Sequence, residues 1–324
     1  MGRPKTLTAR DRELLTILSR CRVLEIDHAK IIYGVQDYHR YRVRVLKERG
    51  YVLQKGRYVE IAQKGLREVN PDEKVTPVRR KGQREKLAAV AEIYFALRDA
   101  WDFEFSQEYK RRTGAFVYGR FGAIISKNNK QYALYLLTTD PRESTVKAVR
   151  QEISGLRRYG ITRAVVLYGS EDAARSFGDD HCGLDSLLLL PYPDGLKILK
   201  HQDDIYNLIG SKYPQAVPCG RPFADFEWGN VYITVLVDND LAKHKYLRDY
   251  LEHIQEKENR ACVGVCLPGQ KEALAETFPQ LKLVVMPESY IPDSSSQEQE
   301  KVKNRDARSC NQYQEQTAYT LPHG

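Results

Sequence analysis

LKERGYVLQKGRYVEIAQKG, residues 46–65, changes its period halfway through. Up to Gly50 the apolar and charged residues fall at helical spacing, and glycine is the residue that most easily takes the left-handed turn ending a helix. Beyond it YVLQ and RYVEIA alternate apolar and polar side chains, the period of a strand, with Lys55-Gly56 as the turn between them. The stretch predicts a helix that runs directly into a two-stranded hairpin.

The residues upstream supply the rest of a small core. In TARDRELLTILSR, residues 8–20, Leu14, Leu15, Ile17 and Leu18 share one side of a helix that Thr8 can cap. Asp27 begins a second short segment, HAKIIYG, that Gly34 stops, and Asp37 caps a third helix, YHRYRVRVLKER. This third helix turns Val43, Val45 and Leu46 inward. It leaves Tyr38, His39, Arg40, Arg42, Arg44 and Lys47 for its outer surfaces.

The chain has 324 residues and a net charge of +8, but the charge is local. Residues 1–84 hold 21 Lys and Arg against 10 Asp and Glu, whereas the remainder holds 30 against 33. A basic block on a near-neutral body points to one polyanion-binding module. The order helix, helix, basic helix, hairpin resembles the winged helix-turn-helix of DNA-binding proteins, over residues 8–68. The resemblance implies that Tyr38, Arg42 and His39, near the start of the third helix, meet base edges. Arg40 lies on an outer surface, and Arg44, Lys47 and Arg49 meet phosphates, as do Lys55 and Arg57 on the hairpin. A solvated face on a protein-binding domain of the same shape is the alternative. The leading Gly2-Arg3-Pro4-Lys5 is similar to the core of minor-groove AT-hook peptides, which places Arg3 and Lys5 in the interface, with a plain basic terminus as the alternative.

REVNPDEKVTPVRRKGQREK, residues 67–86, carries two prolines, charges of both signs and little apolar material, the composition of a linker. From Leu87, LAAVAEIYFALRDAWDF is an apolar helix, and strands are expected at 103–109, 115–126 and 131–138, the last two joined by Asn128-Asn129. A helix over 143–159 and a strand over 163–168 complete the order α-β-β-β-α-β. That order resembles the restriction-endonuclease-like core. With the N-terminal unit it is similar to the replication-relaxation proteins of plasmids and conjugative elements, over residues 8–170. The stretches that correspond are Arg120-Phe121-Gly122, Tyr135-Leu136-Leu137 and Leu156-Arg157-Arg158-Tyr159. A nuclease of this fold needs a carboxylate on the first hairpin strand and an acid-x-Lys on the next, to hold Mg²⁺ and aim water. Gly122 and Tyr135-Leu136-Leu137 provide neither, so no catalytic or metal-binding residue is assigned. Glu92, Asp140, Glu143 and Lys147 stand as a relocated set, or as ordinary surface and capping residues.

Further on, QYALYLLTTD pairs with NVYITVLVDND, and RAVVLYGSEDAARSF with RACVGVCLPGQKEALAETF, about one hundred residues apart, as in a duplicated α/β unit. Asp238 and Asp240 end a buried-looking strand, a place where carboxylates often bind a metal in α/β enzymes, with capping of the following helix as the plain reading. His244 and His253 read as surface residues. The six cysteines form no CxxC pair and are expected to be reduced thiols, Cys262 and Cys266 in the core. The expected fold class is thus α+β and α/β. A winged helix spans 1–68, a charged linker 69–86, a degenerate nuclease-like α/β domain 87–195, a second α/β unit 196–291 and a disordered tail 292–324.

The expected function is binding of double-stranded DNA in replication, transfer or regulation of a mobile element, with the α/β region as a non-catalytic platform for dimerisation, a replication or transfer partner, or more DNA. A cytoplasmic protein with no cofactor and no membrane segment is expected. A metal-dependent nuclease and a ligand-sensing transcriptional regulator remain as alternatives.

Overall fold

The computed structural model describes residues 6–34, 37–114 and 119–287. Arg3, Lys5 and the tail from 292 lie outside the described residues. The fold is mixed α+β, with helices packed around three sheets.

The N-terminal sheet sits on a small helical core. Helix α1 (Ala9–Cys21) opens on a capping box, in which Thr8 Oγ1 accepts from the Asp11 amide at 3.2 Å and Asp11 Oδ2 accepts from the Thr8 amide at 2.8 Å. Strand β1 (Val23–Glu25) and a 3₁₀ turn lead to α2 (Ala29–Tyr33), which ends at Gly34 in the left-handed region. Helix α3 (Tyr38–Glu48) follows, then β2 (Val52–Lys55), β3 (Tyr58–Ile61) and α4 (Gln63–Val69). The hairpin turns where its sequence requires, with Gly56 at φ +61°. Strand β1, unforeseen, pairs antiparallel with β3 and makes the sheet three-stranded. Asp37 stands at the start of α3, but its side chain accepts no capping hydrogen bond; its own φ is +58°.

The stretch expected to be a linker is bound to this unit. Val78 is buried among Val23, Tyr58 and Ala88, and α5 (Lys81–Leu97) begins six residues before Leu87. Arg84 of α5 reaches back to Glu60 Oε1 at 2.5 Å. One valine and one ion pair are enough to fix a short polar segment, and composition alone does not reveal them.

Next come β4 (Asp102–Phe105), α6 (Ser106–Thr113), β5 (Ala123–Lys127), β6 (Lys130–Leu137), α7 (Glu143–Ser154), β7 (Arg163–Tyr168), α8 (Glu171–Phe177) and β8 (Ser186–Pro191). The strand expected at 103–109 stops at Phe105, because the Glu108 carboxylate accepts from the Phe105 amide at 2.9 Å and starts a helix. In the described part of 115–126 only 123 onward is strand, and the helix expected over 143–159 gives way after Ser154 to a 3₁₀ turn at 156–159. Asn128 and Asn129, both at positive φ, turn β5 into β6. The sheet order is β4-β5-β6-β7-β8; β4, β5 and β6 are antiparallel, and β7 and β8 join in parallel. Alternation gives each face its own core. Ile125, Leu134 and Val165 face one way, towards the core that holds α5, and Ile124, Tyr135 and Val166 face Val149 and Ile153 of α7.

After α9 (Gly195–Lys200) and α10 (Gln202–Lys212) the plan is repeated. Strands β9 (Val217–Pro218), β10 (Phe226–Trp228) and β11 (Val231–Val235) form an antiparallel meander. Helices α11 (Leu241–His253) and α12 (Gln255–Glu258), strand β12 (Ala261–Cys266), helix α13 (Lys271–Thr277) and strand β13 (Lys282–Val285) then add two parallel strands. The order β9-β10-β11-β12-β13 matches that of the first sheet strand for strand. The sequence pairing placed β6 against β11 and β7 against β12, which are equivalent positions in the two sheets. Cys262 and Cys266 are buried on β12. The loop after β11 closes the free edge of β8: Ser186 Oγ and the Leu187 amide donate to Asp240 at 2.6 and 3.0 Å, and Asn239 Nδ2 donates to the Leu189 carbonyl at 2.7 Å. Among the described residues no helix is long and apolar enough to cross a membrane.

Candidate nucleic-acid interface

Helix α3 has two stripes. His39, Arg42, Val43 and Leu46 recur at helical spacing on the inner one, and all are buried. The outer one carries Tyr38, Arg40, Tyr41, Arg44 and Lys47, all exposed.

This arrangement corrects two of the sequence assignments. Arg42 does not meet a groove; its side chain is 0% exposed and forms a two-pronged pair with Asp11, equally buried. Tyr33 donates its hydroxyl to the same carboxylate at 2.7 Å, so one acid ties α1, α2 and α3 together. Burial alone would raise the Asp11 carboxyl, but the Arg42 guanidinium, Thr8 and Tyr33 outweigh it and hold it below the usual carboxylate value. His39 is likewise buried, with Nε2 at 3.6 Å from Asp27. The rule that an arginine in an amphipathic helix faces water failed because an inward acid on the neighbouring helix offered it a partner.

Arg40 is exposed but held by Asp27 at 3.0 Å. Arg44 and Lys47 form no ion pair among the described residues, and the Arg44 guanidinium lies 5.6 Å from the centre of the Tyr41 ring. Tyr38 and Tyr41, each 38% exposed, have ring centres 6.1 Å apart. Tyr41 was missed from sequence, although it lies three residues after Tyr38 and three before Arg44, the spacing of one helix face. On the hairpin, Lys55 pairs with Glu60 at 3.0 Å and Arg57 with Glu25 at 3.3 Å. Both cations are exposed. The Arg57 pair with half-buried Glu25 can be exchanged for phosphate oxygens with little loss, whereas Glu60 is buried and keeps Arg84 as a partner if Lys55 leaves it.

In the α/β region the two stretches that lack a metal-binding carboxylate are filled or engaged by other contacts. At Gly122 an added Cβ would lie 2.7 Å from Val90 Cγ2, which leaves no space for a carboxylate. Tyr135 is buried and gives its hydroxyl to Glu152 at 2.9 Å, and Glu152 also accepts from the Arg120 amide at 2.8 Å. Glu152 thus fastens the approach to β5. Of the relocated set, Asp140 is exposed and Glu143 pairs with Lys147 at 2.8 Å on the surface of α7.

Two acids of the second unit do converge. Asp225, just before β10, and Asp238, just after β11, both face Lys243 of α11, at 3.0 and 3.7 Å, and Tyr206 donates to Asp225 at 3.1 Å and to Asp238 at 3.2 Å. The ammonium occupies the space between the carboxylates. Asp240 caps α11, as its place in the sequence suggests, whereas Asp238 belongs to this ion network. Burial, with the Asp240 and Asp225 charges, pushes the Asp238 carboxyl up to about 6 against the pull of Lys243. No group of three His, Cys, Asp or Glu placed to hold a metal ion occurs among the described residues.

A cleft of about 1350 Å³ opens between the two α/β units, at the carboxyl ends of their parallel strands. Tyr168, Pro191, His181, Asn239, His244 and Arg248 are among its walls. His244, expected at the surface, has its Nε2 buried with no hydrogen-bond partner among the described residues, and burial lowers its imidazole to about 4; His253 is exposed. No protein-family model, curated protein or solved structure matches the chain.

Proposed function

We propose that the N-terminal unit is a winged helix-turn-helix that binds duplex DNA through α3 and the β2-β3 hairpin. In this reading the two α/β units are restriction-endonuclease-like folds that have given up catalysis and serve as a platform. The sequence resemblance to replication-relaxation proteins supports a role in replication or transfer of a mobile element. The observation that carries the reading is the outer stripe of α3, where Arg44 and Lys47 have no carboxylate partner among the described residues and stand beside two exposed tyrosines. Cations on one exposed helix face suit the phosphate-lined major groove, where Lys47 meets a phosphate and Arg44 reaches past the backbone to a base edge, and each phosphate neutralised steepens the salt dependence of binding. Full-length protein titrated with labelled duplex over a salt series tests it. Lys47→Ala should weaken all duplexes alike and lower the salt slope by about one. Equal affinity and slope in the wild type and in Arg44→Ala/Lys47→Ala would remove α3 from the interface.

A second reading, regulation of DNA binding by a small ligand, is favoured by the cleft, because open α/β folds bind ligands outside the carboxyl ends of their strands.

A further inference from the structure

We infer that the outer stripe of α3 selects duplexes in which a thymine adjoins a guanine, with Tyr41 against the thymine methyl and Arg44 on the guanine edge. The inference rests on the proposed DNA-binding function and specifies its target.

Elimination leaves few side chains able to read bases. Arg42 and His39 are buried, and Arg40 is engaged at the surface by Asp27, whereas the Arg44 guanidinium rests on the Tyr41 ring and has no ion partner among the described residues. Between Asp37 and Glu48 the helix has no carboxylate, the side chain that would accept from a cytosine amino group. What remains on the middle of the stripe is a pair of aromatic rings and one guanidinium.

Each has a single best partner in the major groove. The C5 methyl of thymine is the one apolar group that base edges present there, and guanine O6 and N7 form the acceptor pair that matches the fork of an arginine. Tyr41 supports Arg44 from beneath, which reduces the freedom the guanidinium loses on binding. Spacing sets the register. Three residues advance about 4.5 Å along a helix, little more than one base-pair step of about 3.4 Å, so the two contacts fall on neighbouring pairs.

The test begins with full-length protein and a random duplex library, selected through repeated rounds of binding. The selected duplexes should share a thymine next to a guanine. Replacing that thymine by deoxyuridine removes only the methyl and should cost about three- to fivefold in affinity, the worth of one buried methyl group. Replacing the guanine by 7-deazaguanine removes one acceptor and should cost roughly tenfold. In Tyr41→Ala the deoxyuridine penalty should vanish, and in Tyr41→Phe, which keeps the ring, it should persist. Arg44→Ala should abolish the 7-deazaguanine penalty. Thermal unfolding confirms that each variant is folded, as both side chains are exposed. A deoxyuridine penalty unchanged in Tyr41→Ala, or a selected site without the thymine-guanine step, overturns the inference while binding itself stands. Failure to select any duplex removes the proposed function and the inference with it.

Discussion

Replacing Arg42 by Met separates an inward arginine from an outward one. The long methylene stem is kept, but Asp11 loses both guanidinium bonds and stays buried with only Tyr33 and Thr8 as donors. Removing one partner of a buried pair typically costs about 3–5 kcal/mol, because a charge is left uncompensated away from water. For a cooperative unit of 150–250 residues this lowers the unfolding midpoint by roughly 6–20 °C, at about 2–4 °C per kcal/mol. The assay is thermal unfolding followed by circular dichroism, with duplex affinity measured below the transition. In the wild type the depressed Asp11 carboxyl contributes stability that is present above its unfolded pKa and lost as the pH falls through the folded value. In Arg42→Met that contribution is gone, so the gap between variant and wild type should narrow in acid. Adding Asp11→Asn discards the charge, keeps an acceptor for Tyr33 or Thr8, and should recover much of the loss. An Arg42→Met protein that melts with the wild type yet loses duplex affinity would refute the inward placement.

Asp238→Asn should act with the opposite sign. A carboxyl raised by burial favours the fold when protonated, so its contribution is complete below the unfolded value and declines as the pH rises through about 6. The Asn variant should match the wild type in acid and melt higher at neutral and alkaline pH; a lower midpoint at every pH would show that Asp238 serves Lys243 more than it burdens the core. For the cleft, Ala273→Trp should block the space between the α/β units without touching α3. Among nucleotides and amino acids screened by thermal shift, a compound that stabilises the wild type but not this variant should also change duplex affinity, and a binder that leaves that affinity unaltered would count against ligand control.

Helix α1, the hairpin and the Asn128-Asn129 turn were legible because each depends on signals within a few residues: a capping box, a glycine at positive φ, two asparagines in a left-handed turn. The equivalence of the two sheets was visible as a hundred-residue echo, since strands buried on both faces keep apolar runs that resist change. Strand β1 escaped notice because three residues are too short to show a period. The burial of Val78 and Arg42 escaped for a different reason, as each is set by a partner far along the chain: Tyr58 for the one, Asp11 for the other. The proposed interface was half readable. The run of cations singled out α3, but the choice between the 38-42 and 38-41-44 stripes is a rotation of the helix fixed by what lies behind it.

The closure of β8 by Asn239 and Asp240 has a bearing on how the chain is made. The hydrogen bonds span 50 to 54 positions, so the first α/β unit leaves the ribosome before its own edge can be covered. At synthesis rates of about 5–20 residues per second the exposed interval lasts roughly 3–10 s. Through that time Ser186–Pro191 is a short, apolar strand with unpaired backbone groups, the kind of edge on which nascent chains stick to one another. Truncation before residue 239 makes the interval permanent. A fragment that stops there keeps every residue of the first unit yet exposes the edge that the second unit covers in the whole chain.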